Sequence, residues 1–169
     1  MNTERKIIET NAIIVCDKII KASELNVLAQ GFEGDIVITK KLIIDKDVHI
    51  SCSLHVMGGI VRKNPISEFN INIDGDFYCY GEIHCNDINI NGYFYSKELI
   101  YSKNIKVGEN FLCDAKIGAY GCNIIVAGNF ECNGGVIAGK IRVLGTSSIN
   151  GSISVANSIK NVKNALMPL

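Results

Sequence analysis

Three histidines, seven cysteines and a group of carboxylates are the side chains of this chain that could carry chemistry. His49, His55 and His84 each stand between apolar residues in an alternating pattern, so all three are expected to point outward from a sheet. Such a histidine is usually a solvated surface residue, and its alternative role is general base in an acyltransferase-like groove. His49 and His84 are expected at equivalent positions two repeat units apart, which separates them by about 10 Å. That separation excludes a shared metal ion.

The carboxylates Asp74, Asp76 and Glu82 lie close together in the sequence. Paired carboxylates on an outer sheet face could serve glycosidase or lyase chemistry, or bind calcium. The next repeat unit, however, supplies Asn91 and Tyr93 in place of further carboxylates or arginines. We interpret the three acids as solvated edge residues that discourage wrong strand pairing. Because nucleophile-elbow, zinc-protease and phosphate-loop motifs are also absent from the sequence, we expect no catalytic residue and no cofactor.

The cysteines are odd in number and form no Cys-x-x-Cys pair. The pairs Cys79 with Cys85 and Cys113 with Cys122 are not matched by histidines at zinc-finger spacing. We therefore expect reduced, buried thiols that act as small hydrophobic side chains, and neither a metal site nor disulfides. A reduced protein of this kind fits the cytoplasm.

Composition indicates one folded domain, with 169 residues of which 47% are hydrophobic. Seventeen basic residues balance seventeen acidic ones, which gives no indication of a nucleic-acid or membrane-surface partner. The apolar runs are far shorter than the roughly 20 residues that span a bilayer, and no apolar signal segment follows the N-terminus. A soluble cytoplasmic protein without a transmembrane segment is expected.

A period of about 17 residues runs through the chain and decides the fold class. One unit is Ile71-x-Ile73-x-Gly75-x-Phe77-x-Cys79, and its copies begin at steps of 17, 17, 19 and 17 residues, at Ile88, Ile105, Ile124 and Ile141. Within each unit apolar i, i+2 pairs recur about every six residues, as short strands with one inward face would require. Three such strands per unit predict an all-β fold, a single-stranded parallel β-helix or triangular solenoid with about 17 residues per coil.

Stacking the coils places equivalent residues in inward rows. The predicted rows are Phe77, Phe94, Phe111 and Phe130; Cys79, Ser96, Cys113 and Cys132; Ile83, Ile100, Ile117, Val136 and Ile153; and Cys85, Ser102, Ala119, Ala138 and Val155.

The solenoid is expected over residues 19–157, between an N-terminal cap at 1–18 and a C-terminal cap or short helix at 158–169. A charged segment with a proline predicts a bulging loop at 61–69. The 19-residue step predicts a two-residue corner insertion near 118–122. Recurring glycines are expected to form one corner with a bend and positive φ: Gly58, Gly75, Gly92, Gly128 and Gly145.

One outer surface carries aromatic residues. Tyr78 and Tyr95 are expected at equivalent positions in adjacent coils, followed by Leu112, with Tyr80 and Tyr93 on the same side. We call these five residues the tyrosine face. Tyrosines of this kind mark protein interfaces, although they also decorate ordinary sheets because they suit strands.

The glycine-punctuated coils resemble those of the bactofilins, bacterial cytoskeletal proteins that form polymers. The resemblance covers about residues 36–160 and is clearest from Ile141-x-Val143-x-Gly145 to Ile149-x-Gly151-x-Ile153-x-Val155. It implies a right-handed triangular β-helix whose rods join end to end into nucleotide-free filaments that act as scaffolds. On this basis the expected assembly residues lie in the terminal coils: Ile36, Ile38, Ile141, Val143, Ile153 and Val155.

Two other functions share the solenoid fold. The first is a discrete binding, adaptor or immunity-type protein that uses the tyrosine face. The second is a left-handed hexapeptide-repeat acyltransferase, which the order of residues disfavours because here the aliphatic residue mostly precedes the small one. We expect a non-enzymatic scaffold that associates with itself or with another protein.

Overall fold

The computed structural model describes residues 12–161, which wind into a β-solenoid of about 7 turns with about 18 residues per turn. Parallel strands stack from turn to turn on three faces. The all-β solenoid predicted from the 17-residue period is thus confirmed, because alternation fixes which side chains point inward and stacking then covers them.

The strands of face 1 form one ladder. They are β1 (Ile13–Cys16), β3 (Asp35–Ile38), β6 (Leu54–Val56), β9 (Phe77–Cys79), β12 (Phe94–Ser96), β15 (Phe111–Cys113), β17 (Phe130–Cys132) and β19 (Ser147–Ile149).

Faces 2 and 3 are joined because the last three strands of their ladder bend around a corner. Face 2 holds β2 (Ile20–Lys21), β4 (Leu42–Ile44), β7 (Ile60–Arg62), β10 (Ile83–His84), β13 (Ile100–Ser102) and the first halves of β16 (Ile117–Val126), β18 (Val136–Val143) and β20 (Ile153–Asn161). Face 3 holds β5 (Val48–Ile50), β8 (Ile71–Ile73), β11 (Asp87–Ile90), β14 (Asn104–Val107) and the second halves of the same three strands.

The inward rows form the core. Phe77, Phe94, Phe111 and Phe130 pair in register and stack, with ring centroids 5.1, 4.6 and 5.2 Å apart. Each ring is at most 1% exposed, and burial of such a side chain stabilises the fold by about 1.5 to 3 kcal/mol. Stacked ring pairs add about 0.5 to 1.5 kcal/mol each. The predicted rows of small and aliphatic residues also pair as expected.

A helix takes the place of a strand in the first turn. Helix α1 (Ala22–Ala29) follows β2 directly and packs on β5 with Ala22, Leu25 and Ala29 buried. Asp45 of the next coil accepts hydrogen bonds from the backbone nitrogen and hydroxyl of Ser23, at 3.0 and 2.8 Å. Burial acts to raise the pKa of Asp45, but these hydrogen bonds outweigh burial and lower it. The carboxylate thereby holds the first turn of α1 against the solenoid.

The expectation that the recurring glycines share one corner and have positive φ is wrong. Gly58 lies between β6 and β7, whereas Gly75 and its later equivalents lie at the corner between faces 3 and 1. Among residues 12–161 only Gly31 and Gly59 have φ in the left-handed region. A Cβ on Gly75 would lie 2.6 Å from the carbonyl carbon of Cys52, and one on Gly145 would lie 2.5 Å from the carbonyl oxygen of Gly128. Corner glycines are therefore required because consecutive coils approach closely there.

Two interruptions of the rhythm occur close to where the sequence placed them. No strand covers residues 63–70, which overlap the loop expected at 61–69, whereas residues 61 and 62 belong to strand β7. Ile117 pairs with Ile100, 17 residues earlier, whereas Ile124 pairs with Ile105, 19 residues earlier. The two inserted residues therefore lie at the corner between them, where the register shifts.

The described ends differ from the expected caps. Strand β1 lies inside the segment 1–18 and pairs with β3, so the solenoid begins one face earlier than expected. Strand β20 runs through Asn161, so the start of the segment 158–169 is strand, and its remainder lies outside the described residues. Within residues 12–161 no helix is long and apolar enough to cross a membrane.

Candidate functional site

The tyrosine face is brought together by the register of face 1. Tyr78, Tyr95 and Leu112 are direct partners in consecutive outward positions of β9, β12 and β15. Tyr93 packs on Tyr78 and Tyr80 packs on Tyr95, each with ring centroids 5.6 Å apart. All five side chains are half-buried, so the surface is a packed layer of rings rather than a set of free side chains.

Sequence reasoning missed a sixth member of this surface. His55 of β6 lies in the same outward row, and its ring stacks on Tyr78 with centroids 4.5 Å apart and planes 5° apart. The apolar pair Leu54 and Val56 marks His55 as outward, but the 23-residue step to β9 hides its alignment with Tyr78. The row continues through Val37 to Val15, so an apolar and aromatic strip extends along this face.

Aspartates hold the tyrosine hydroxyls. The hydroxyl of Tyr95 donates to Asp114 Oδ2 at 2.6 Å, and this hydrogen bond raises the pKa of Tyr95 to about 12. Burial, followed by the nearby Asp76 carboxylate, raises the pKa of Tyr78. Both phenols are therefore protonated at neutral pH, and the face offers neutral rings in fixed orientations. Such a surface suits contact with another protein and supplies no nucleophile.

The histidines lie on three different faces. His55 belongs to face 1, His84 to face 2 and His49 to face 3, all pointing outward as expected. The expectation that His49 and His84 occupy equivalent positions is wrong: His49 pairs with Asn72, whereas His84 pairs with Tyr101. Residues 63–70 lengthen one coil to 23 residues and shift every later position, which counting in steps of 17 or 18 overlooks.

The acidic residues singled out in the sequence serve corners and edges. Asp74 accepts a hydrogen bond from the Asn91 side chain at 2.8 Å, and Asp76 accepts one from the Tyr93 backbone at 2.8 Å. Glu82 lies 3.3 Å from His84. Among the described residues no group of three or more His, Cys, Asp or Glu side chains is arranged to hold a metal ion.

Six cysteines with described side chains are buried free thiols. Burial raises the pKa of Cys79 to about 12 and raises that of Cys85 as well. Cys113 and Cys132, neighbours in one inward row, both donate to the carbonyl oxygen of Ala115 at 3.3 Å. The side-chain hydrogen bond between Cys113 and Cys132 raises the pKa of Cys113 and lowers that of Cys132. The thiols of Cys79 and Cys85 are protonated core side chains, poorly suited to nucleophilic chemistry.

An open cleft of about 580 Å³ lies on face 2 beside residues 63–70. Its lining residues, which we call the Arg62 cleft, are Val61, Arg62, Pro65, His84 and Tyr101. No sequence motif pointed to it. The charged residues and Pro65 indicated only that a loop would leave the rod here.

The residues expected to drive assembly differ in burial and in their distance from the ends of the rod. Ile36 and Ile38 are fully buried beneath β1, so their strand is not a coil end. Ile141 and Val143 are also buried, and they pair with β20.

Ile153 and Val155 differ from these four because they lie in the last described turn of face 2. Ile153 is 48% exposed although it continues a buried inward row, and Val155 is half-buried. At the opposite end, Ile14 and Ile20 of the first turn are 6% and 0% exposed. Among the side chains that the structure describes, Ile153 in the last turn is therefore the large apolar inward-row residue that is exposed to solvent.

Comparisons with known proteins add no family to this description. No protein-family model matches the chain, and neither a curated protein nor a solved structure matches it. The assignment of a β-solenoid repeat protein therefore rests on the stacked parallel coils themselves.

Proposed function

We propose that this protein is a non-enzymatic structural solenoid that associates with a second copy of itself through its last described coil. The observation that carries the proposal is Ile153, an inward-row residue that is 48% exposed, whereas its partners Val136, Ile117 and Ile100 in the same row are fully buried. End-to-end joining is also what the resemblance to bactofilins implies.

Two physical terms favour a contact at this end. Within residues 12–161, strand β20 pairs only with β18, so its outer edge offers backbone groups for a further ladder. Covering Ile153 and Val155 would remove apolar surface from water, which is worth about 25 cal/mol per Å². A further coil would extend both the ladder and the inward row.

The two ends of the rod support a closed dimer rather than an open filament. Ile14 and Ile20 of the first turn are already covered, and α1 replaces the strand of face 3 there. A contact that uses the same end of both copies is isologous and closes after two subunits. We therefore expect a tail-to-tail dimer with two-fold symmetry.

The test is sedimentation equilibrium of the reduced protein over a wide concentration range, with negative-stain electron microscopy of the same samples. The wild type should show a reversible monomer–dimer equilibrium, and particles about twice the length of one rod. Ile153→Lys should remain monomeric because it places a charge on the contact.

Ser154→Lys is the matched control, since residue 154 follows directly in β20 but is an exposed outward residue. This variant should dimerise like the wild type. A wild type that stays monomeric at every concentration, or equal loss of dimer in both variants, would contradict the proposal. Long filaments would show that the first coil also joins, against the end-specific contact.

The tyrosine face supports a second candidate function, that of a discrete binding protein. Its carrying observation is the packing of the rings: His55 stacks on Tyr78, Tyr93 packs on Tyr78, and Tyr80 packs on Tyr95. The double variant Tyr78→Ala/Tyr95→Ala should leave the monomer–dimer equilibrium unchanged but remove binding of a partner protein. Because the face lies along the side of the rod, loss of dimer in this variant would argue against two separate surfaces.

A further inference from the structure

Arg62 stands where the inward pattern calls for an apolar residue. Strand β7 pairs with β4 so that Arg62 is the partner of Ile44, and the same row continues with Cys85, Ser102 and Ala119. Arg62 is therefore a charged side chain in a row whose other members are uncharged. Departures of this kind are expected at functional positions.

The fold holds the Arg62 guanidinium in one orientation. Its Nη1 donates to the carbonyl oxygen of Pro65 at 3.1 Å, and its Nη2 donates to the carbonyl oxygen of Cys85. Its Nε is buried and has no hydrogen-bond partner within the described part of the chain. These contacts use two of five N–H donors, so the group is fixed in place without being saturated.

Arg62 also lacks a counter-ion in the part of the chain that the structure describes. The ion pairs there join Lys18 to Glu24, Lys40 to Asp17 and His84 to Glu82. A half-buried cation without an anionic partner carries a desolvation cost, which an anion placed beside it would relieve. Guanidinium groups match carboxylates in particular, because parallel N–H donors meet both oxygens.

The remainder of the Arg62 cleft is apolar and aromatic. Val61, His84 and Tyr101 occupy consecutive outward positions on face 2, and the rings of His84 and Tyr101 lie 4.8 Å apart. Pro65 forms part of the wall on the side of residues 63–70. The volume of about 580 Å³ lies within the range of small-molecule sites.

We propose that the Arg62 cleft binds a small organic carboxylate with an aromatic or other apolar body. The carboxylate accepts hydrogen bonds from the remaining Nη protons of Arg62, and the apolar body covers Val61 and packs on the rings of His84 and Tyr101. The site is independent of the coil ends, so binding and self-association can succeed or fail separately.

The test uses phenylacetate as the ligand and phenylacetamide as its neutral isostere, each titrated into the 15N-labelled wild-type protein. Amide resonances of residues 61–66, 84, 85 and 101 should shift saturably with phenylacetate. The amide should bind at least tenfold more weakly, because it cannot make charge-assisted hydrogen bonds. Absence of saturable shifts at millimolar ligand, or equal binding of the two compounds, would overturn the proposal.

Arg62→Gln should weaken phenylacetate binding at least tenfold, whereas the control Lys63→Gln should leave it unchanged. Lys63 is the adjacent exposed cation, so equal loss in both variants would show that binding follows net charge alone. Because Arg62 also contacts Pro65, Tyr101→Ala provides a second variant that retains the guanidinium. It should weaken phenylacetate and phenylacetamide by similar factors, and undiminished binding of phenylacetate would also contradict the proposed site.

Discussion

Faces 1 and 2 are built from the same coils, but the repeat is regular on face 1 and interrupted on face 2. On face 1 the ladder from β1 to β19 is unbroken, and four phenylalanines stack inside it. On face 2, β10 is only two residues long, Arg62 enters an inward row, and the buried hydroxyl of Ser102 has no partner among the described residues. Strict repetition on face 1 therefore buries and stacks aromatic rings, whereas the interrupted repeat on face 2 leaves room for the Arg62 cleft.

The largest expected effect is loss of a ring from the interior of face 1. Phe94→Ala should lower the free energy of unfolding by about 3 to 5 kcal/mol, because Phe94 lies between Phe77 and Phe111 and its removal leaves a cavity. Urea denaturation measures the change. Tyr101→Ala on the outside of face 2, where the ring is 36% exposed, should cost less than half as much. Equal losses would mean that a ring in the stacked row of face 1 contributes no more to stability than an exposed ring on face 2.

Two buried serines give a finer comparison of the two faces. Ser96 on face 1 donates to the carbonyl oxygen of Glu98 at 3.1 Å, whereas Ser102 on face 2 has no hydrogen-bond partner among the described residues. Ser96→Ala should therefore destabilise the protein by about 1 kcal/mol.

Ser102→Ala should be neutral or slightly stabilising, because it removes a buried polar group that makes no hydrogen bond. Thermal and urea unfolding of both variants measure the pair of changes. A larger loss of stability for Ser102→Ala than for Ser96→Ala would contradict the assignment of a hydrogen bond to the Ser96 hydroxyl and of none to the buried Ser102 hydroxyl among the described residues.

The smallest expected effect concerns the outer surface of face 1 at high pH. The hydrogen bond to Asp114 raises the pKa of Tyr95 to about 12, so the protonated phenol is favoured in the folded state. Its contribution to stability is complete below the ordinary tyrosine pKa of about 10 and is lost as pH rises through about 12.

Titration of phenolate absorbance measures this pKa. Asp114→Asn should lower it, and the Tyr95→Phe variant identifies which part of the titration curve belongs to Tyr95. An unchanged curve in Asp114→Asn would show that this carboxylate does not hold the hydroxyl.

The sequence alone determined the solenoid, its inward rows and the corner insertion. Alternation at i, i+2 marks the buried side of each strand, and a constant period requires equivalent residues to stack. Phe77, Phe94 and Phe111 could therefore be aligned by counting, and so could Tyr78 with Tyr95. Counting worked wherever the step between coils was visible in the sequence.

Three features depend on tertiary contacts that the repeat period does not reveal: helix α1, the position of His55 and the orientation of Arg62. Helix α1 replaces a strand because its apolar side packs on β5 and Asp45 binds its first turn, and both contacts come from the next coil. His55 joins Tyr78 across a step of 23 residues, and the guanidinium of Arg62 is oriented by Cys85, which follows 23 residues later. These contacts join coils of unequal length. A count based on a constant period aligns residues only between coils of equal length, so it could not predict them.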